Sequence, residues 1–231
     1  MDVILNPTLD GWRSSYARPV DRWLVGVDLG QSTDPTAITV MNHRVVPLDG
    51  WELNEKARIR RQKRAVHFDV RHLERLKLGM SYPQQIQHVA NLLVRPPLSL
   101  LNPQLVIDET GVGRPVGDMF DAAGLYPARI TITAGLEATQ HGAKTWHVPK
   151  GLLISNLEAH AHSGELRIAA VANDAAALKD ELKDFKRKIS EAGRTTYAAR
   201  VGAHDDLVLS VAITLWLATQ GPTTSIQELR V

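Results

Sequence analysis

Apolar residues run almost without interruption through Trp23, Leu24, Val25 and Val27, and a second run spans Ala37 to Met41 beyond a turn at Ser32, Thr33, Asp34 and Pro35. Continuous apolar runs of this kind suit strands covered on both faces. Val45 to Trp51 predicts a further strand, and alternation resumes from Ala65 to Val70 after a basic stretch. Together these predict three antiparallel strands. Behind Ser81 and Pro83, Ile86, Val89, Ala90 and Leu93 recur at helical spacing, with Pro96 and Pro97 as the stop.

The second half changes rhythm. Leu105, Val106 and Ile107 form a short buried strand, and Asp108, two glycines and a helix through Val116, Met119, Phe120 and Ala123 follow, with Gly124 at its end. That order is a βα unit. Arg129 to Ala134 predicts another strand, Gly151 to Ser163 a helix, and Glu165 to Ala169 a short strand. Asn173 precedes a helix carrying Leu178, Leu182, Phe185 and Ile189. A final helix from about Asp205 to Thr219 is apolar nearly all round, so it is expected to be buried. Residues 1–21, with Pro7, Gly11 and Pro19, read as an arm or linker, 22–221 as one domain and 222–231 as a tail.

Composition removes whole classes of chemistry. The 231 residues include no cysteine, so disulfides, thiol nucleophiles and thiolate metal sites are excluded. No leader of the secretory kind opens the sequence and no run is long enough to span a bilayer, so a cytoplasmic location and no membrane partner are expected. Net charge is only +2, but cations concentrate in KARIRRQKR (Lys56 to Arg64) and KDFKRK (Lys183 to Lys188).

Acids stand at informative places. Asp28 lies inside the first apolar strand, where an ionised, unpaired carboxylate would cost several kcal/mol, roughly. Asp108 ends a later strand, and Asp205 and Asp206 begin the last helix. If the two strands are neighbours, a spacing of about 5 Å brings Asp28 and Asp108 within reach of one ion, and the closing helix can supply a third ligand. Oxygen ligands alone suit Mg²⁺ or Mn²⁺.

GVDLGQSTDPTAI, VIDETGVGRP and GAHDDLVLSVAI resemble the three acidic motifs of the nuclease domain of phage terminase large subunits, members of the RNase H-like superfamily. The likeness runs from about Leu24 to Thr219, and FDVRHLERLKLGMSYP and VPKGLLISNLEAHAHSGELRIA resemble that family's connecting segments. GVDLG alone also resembles the first phosphate motif of sugar kinases and actin-like ATPases. Three motifs in this order, about eighty and a hundred residues apart, carry the terminase likeness instead.

The resemblance implies an α/β fold, an RNase H-like mixed sheet of three antiparallel strands followed by parallel βα units, flanked by helices. It implies a DNA endonuclease that hydrolyses phosphodiesters with two Mg²⁺ or Mn²⁺ ions. Asp28 would bridge both ions, Asp108 hold the leaving-group ion and Asp206 the nucleophile-side ion, with Asp205 as an alternate ligand. Duplex DNA is the implied partner, together with a separate ATPase motor, a small terminase or a portal protein. No Walker A sequence is present, since Gly142, Ala143, Lys144 and Thr145 lack its glycine spacing, so motor activity is not expected of this chain. A RuvC-like junction resolvase and a catalytically silent DNA-binding or assembly module are the rival readings.

Auxiliary residues have competing explanations. Asp205 or Asp206 can serve as a helix cap, and Glu109 is expected to face away from Asp108. His204 is within sequence reach of a scissile phosphate, but an exposed histidine before a helix is the commoner case. Arg58, Arg60, Arg61, Lys63 and Arg64, with Lys144 and Lys150, are candidate phosphate contacts if they line the cleft; solvated cations are the ordinary alternative.

Overall fold

The computed structural model describes residues 3–4, 11–30, 33–169, 172–184, 186–189, 195–198 and 205–220. Two short strands, β1 (Val3–Ile4) and β2 (Arg13–Tyr16), precede β3 (Val20–Asp28). β4 (Ala37–Asn54) runs back antiparallel to β3, and β5 (Ile59–Arg75) antiparallel to β4. Val45 to Trp51 is therefore not a strand of its own but the continuation of β4. Register shifts between Pro47 and Trp51, and the ladder continues through this irregularity to Asn54. The predicted third strand is β5, and the basic stretch occupies its turn and first half.

Helices α1 (Tyr82–Leu93) and α2 (Leu98–Leu101) lead to β6 (Gln104–Asp108), α3 (Arg114–Ala122) and β7 (Ala128–Thr133). A hairpin that the apolar pattern did not predict, β8 (Thr139–Gly142) and β9 (Thr145–Pro149), is followed by α4 (Lys150–His162) and β10 (Leu166–Ile168). Next come α5 (Ala175–Asp184), the paired strands β11 (Lys186–Ile189) and β12 (Thr195–Ala198), and α6 (Asp206–Thr219). The helix predicted to reach Ile189 thus ends at Asp184. Ile189 instead pairs with Thr195 across a two-stranded ladder, and Phe185 lies outside the described residues.

The main sheet has the order β1-β2-β5-β4-β3-β6-β7-β9-β8, with β10 also on β5. β3, β6, β7 and β9 are mutually parallel, so their C-terminal ends share one end of the sheet. One apolar core, including Leu24, Val106, Ile130 and Leu153, lies on the face covered by α4 and α6; a second, including Val25, Val27, Ile107 and Phe120, lies on the face covered by α1 and α3. Asp206 to Ala218 of α6 are all buried, as the apolar sequence predicted. α6 approaches β3 most closely at Gly26, where an added Cβ would stand 1.8 Å from Thr214 Oγ1 and 2.9 Å from the Ser210 carbonyl. Only glycine permits that contact, which fixes α6 against β3 two residues before Asp28. Among the described residues no helix is long and apolar enough to cross a membrane.

Candidate active site

Strand alternation decides where the acids point. Leu24 and Gly26 face α6, so Asp28, two residues on, faces it too. β6 pairs with β3 in parallel with Asp28 directly beside Asp108, and Val106 sets the same alternation there. Two carboxylates therefore sit on neighbouring strand ends, on one face, about 5 Å apart at the backbone.

The first turn of α6 meets them. Asp205 occupies its N-cap position and Asp206, 5% exposed, is its first residue. Asp205 makes no side-chain cap hydrogen bond. Instead Glu181 Oε2 of α5, itself held by Arg75, accepts the Val208 backbone N–H at 3.0 Å. Capping by another element removes the main structural explanation for Asp205.

The electrostatics follow from this crowding. Burial pushes the Asp28 carboxyl well above the usual carboxylate range, and the charges of Asp108, Asp206 and Asp205 push it further. Burial likewise raises Asp108, to about 6, against hydrogen bonding from Thr110 and the charge of Lys150, with Asp205 adding to the rise. Like charges so close disfavour one another's ionised forms.

Lys150 is the cation near all of this. Its Nζ donates to Asp205 Oδ2 at 2.7 Å, and its charge lowers the pKa of both Asp28 and Asp108. It begins α4, immediately after β9 ends, at the same end of the sheet as the acids. A lysine in a first helical turn opposes the helix dipole. Among the described residues no three His, Asp or Glu side chains already form a metal-ligand set. The acids are instead held near one another with an ammonium among them.

Two backbone devices fix the acids. Thr110, which the sequence did not single out, donates its N–H to Asp108 Oδ1 at 2.8 Å while its hydroxyl accepts the Ile132 N–H at 2.6 Å. After Asp28, buried Thr36 and Gln85 tie down the turn: Thr36 Oγ1 accepts from Gly30 N at 2.9 Å, and Gln85 Nε2 donates to Gly30 O at 2.7 Å.

Other candidates lie elsewhere. Glu109 faces away, as expected, with Arg129 Nη1 at 3.3 Å. Lys144 precedes β9, at the opposite end of the parallel strands, and its Nζ bonds the Tyr126 carbonyl at 3.1 Å. Arg58, Arg60, Arg61, Lys63 and Arg64 do not line this cleft. Arg75 is level with Ala37 and hence with Asp28, so Arg64, eleven residues back along β5, lies roughly 36 Å away at about 3.3 Å per residue, and Arg58 farther still. Arg60 lies over the Trp51 ring at 5.3 Å and donates to Ser14 at 2.7 Å. His204 lies outside the described residues.

No family model and no curated protein matches the chain. Solved structures do. The large terminase nuclease from thermophilic phage G20c with bound magnesium superposes with a TM-score of 0.56 at 22% identity, covering 86% of this chain and 82% of that one. The fold is that of a large terminase nuclease domain. The nuclease domain of Thermus phage P74-26 gives a TM-score of 0.54 at 20% identity, over 84% of this chain and 78% of that one. The HK97 bacteriophage large terminase matches with a TM-score of 0.51 at 14% identity, over 85% of this chain but 40% of its own length. The G20c nuclease has also been solved with cobalt bound.

Proposed function

We propose that this chain is a divalent-metal-dependent endodeoxyribonuclease of the terminase type, cutting duplex DNA during phage genome packaging in the host cytoplasm. The observation that carries the reading is the pairing of Asp28 with Asp108 on one sheet face, with Asp205 and Asp206 delivered by a helix capped from elsewhere. An all-oxygen donor set with raised carboxyl pKa values fits a hard cation, because a bound divalent charge offsets the repulsion that burial and crowding create. Asp28, whose carboxyl feels the charges of Asp108, Asp206 and Asp205, would hold Mg²⁺ or Mn²⁺ together with Asp108 and Asp206. When bound, such ions supply an activated water and stabilise the leaving oxygen.

The chain's own residues do the rest. Thr110 holds Asp108 in one rotamer, so its second oxygen keeps a fixed direction. Lys150 holds Asp205 and lowers the pKa values of Asp28 and Asp108, keeping a larger fraction ionised near neutral pH. The packaging partners, an ATPase motor with a small terminase or portal protein, belong to the same proposal.

The experiment is nicking of a supercoiled plasmid with Mg²⁺ or Mn²⁺ against EDTA, run beside linear duplex and a four-way junction of equal length. Metal-dependent nicking with comparable rates on linear and branched DNA is the expected result. Strong preference for the junction would make the chain a resolvase, and no cleavage with either metal would reduce it to a binding or assembly module.

A further inference from the structure

The sheet face turned away from Asp28 holds a charge imbalance that the active site does not use. Phe68 and Val70 of β5 pack into the core under α4 and α6, so Asp69 between them faces the other side, where it is 6% exposed. Arg167 of β10 lies beside it in the ladder. Arg167 Nε donates to Asp69 Oδ1 at 2.7 Å, and Arg44 Nη2 and Arg71 Nη2 donate to Oδ2 at 2.8 and 3.2 Å. The register shift opposite Val40 and Met41 leaves Arg71 outside the ladder, next to Asp69.

Three guanidiniums thus meet one carboxylate. Burial raises the Asp69 pKa, but the hydrogen bonds from Arg44 and Arg167 and the charges of Arg167 and Arg71 outweigh it, so the acid stays ionised below the usual carboxylate range. Asp69 offsets one arginine, and Asp21, paired with Arg44 across the ladder on the same face, offsets a second, which leaves one positive charge in surplus. Arg44, Arg71 and Arg167 are 37%, 48% and 45% exposed, so that surplus meets solvent. Lys63, six residues earlier with the same alternation, extends the exposed cations by about 20 Å along β5.

A network built only for stability would match its cations with acids; here a buried carboxylate fixes the orientation of more cations than it can neutralise. Guanidinium forks on a flat sheet face suit phosphate oxygens spread along a backbone better than one small anion in a pocket. We infer that this face, built on Asp69 with Arg44, Arg71 and Arg167 and extended by Lys63, binds the phosphate backbone of duplex DNA at a distance from the cutting centre. The inference rests on the reading of the chain as a nuclease of duplex DNA.

The test is the binding of a fluorescein-labelled duplex of roughly three helical turns to the full chain in EDTA, measured by anisotropy across a range of salt. Arg71→Ser with Arg167→Ser, which leaves Arg44 on Asp69, is expected to weaken binding at least ~10-fold and to flatten the slope of log K against log salt by about 2. Lys63→Ser, away from the Asp69 network, is expected to flatten it by about 1 with an unchanged thermal midpoint, and it decides the matter if the arginine pair fails to fold. Unchanged affinity and slope in folded variants overturn the inference. So does unchanged DNA binding with loss of poly-L-glutamate binding, which assigns the face to an acidic protein. Because nothing is cut in EDTA, a chain that binds DNA through this face yet never nicks it would defeat the nuclease reading and leave this one standing.

Discussion

Asp28→Asn is expected to reduce metal-dependent nicking about a thousandfold or more, the equivalent of about 4 kcal/mol of lost transition-state stabilisation, while leaving the metal-free protein as stable as the parent or more so. The two halves together separate a ligand from a structural acid. A carboxylate that served the fold would take stability with it on removal. Here the carboxyl's pKa is raised by burial, by Asp108, Asp206 and Asp205, with only Lys150 opposing. Removing its charge relieves that burial cost and repulsion, and the near-isosteric amide keeps the packing. Nicking assays and thermal melts in EDTA on the same preparation read both halves. A variant that melts much earlier and cuts in proportion to its folded fraction would make Asp28 structural.

Stability should also depend on pH and metal in an unusual direction. Asp108 has a folded pKa of about 6, above the ordinary carboxylate value, so the folded chain binds this proton more tightly than the unfolded chain does. Stability therefore falls as pH rises from the unfolded carboxylate pKa to about 6, by a total on the order of 3 kcal/mol that is complete above about 6 and absent below the unfolded pKa. Asp28 acts in the same sense. The metal-free protein is expected to melt several degrees higher near pH 5 than near pH 7.5. Asp69, with its depressed pKa, works the opposite way, but its contribution is lost only as pH falls below the ordinary carboxylate range. Mn²⁺ should reverse the order. At about a hundred times its dissociation constant it adds about 2.7 kcal/mol near pH 7.5, and that gain should disappear near pH 5, where protons hold the ligands. Calorimetric scans at the two pH values, with and without Mn²⁺, give the four midpoints. A metal-free midpoint that rises steadily from pH 5 to 7.5 would contradict the raised pKa values.

The elements that carry the site were legible because burial on both faces writes itself into sequence. β3, β6 and α6 are the most continuously apolar stretches, and an acid inside or beside each is conspicuous for that reason. Their convergence was not legible from the pattern alone, since strand order is set by packing between distant segments; the three-motif resemblance supplied it. β8 and β9 escaped because the hairpin is largely exposed, with inward residues only near Val148, so no apolar alternation marks it. Lys150 lost its meaning with them, for only the parallel pairing of β9 with β7 brings α4 to the acidic end. The basic stretch was plain in composition but not in place, because its distance from Asp28 depends on how far β4 and β5 extend beyond β3.

The most direct measurement is anomalous scattering from a crystal of the chain soaked in Mn²⁺. Density is expected at the C-terminal ends of β3 and β6, within coordination distance of Asp28 and Asp108 and reached by Asp206, and absent from the Asp28→Asn crystal. Manganese bound only at other surfaces, with Asp28 and Asp108 making no contact to it, would contradict the account.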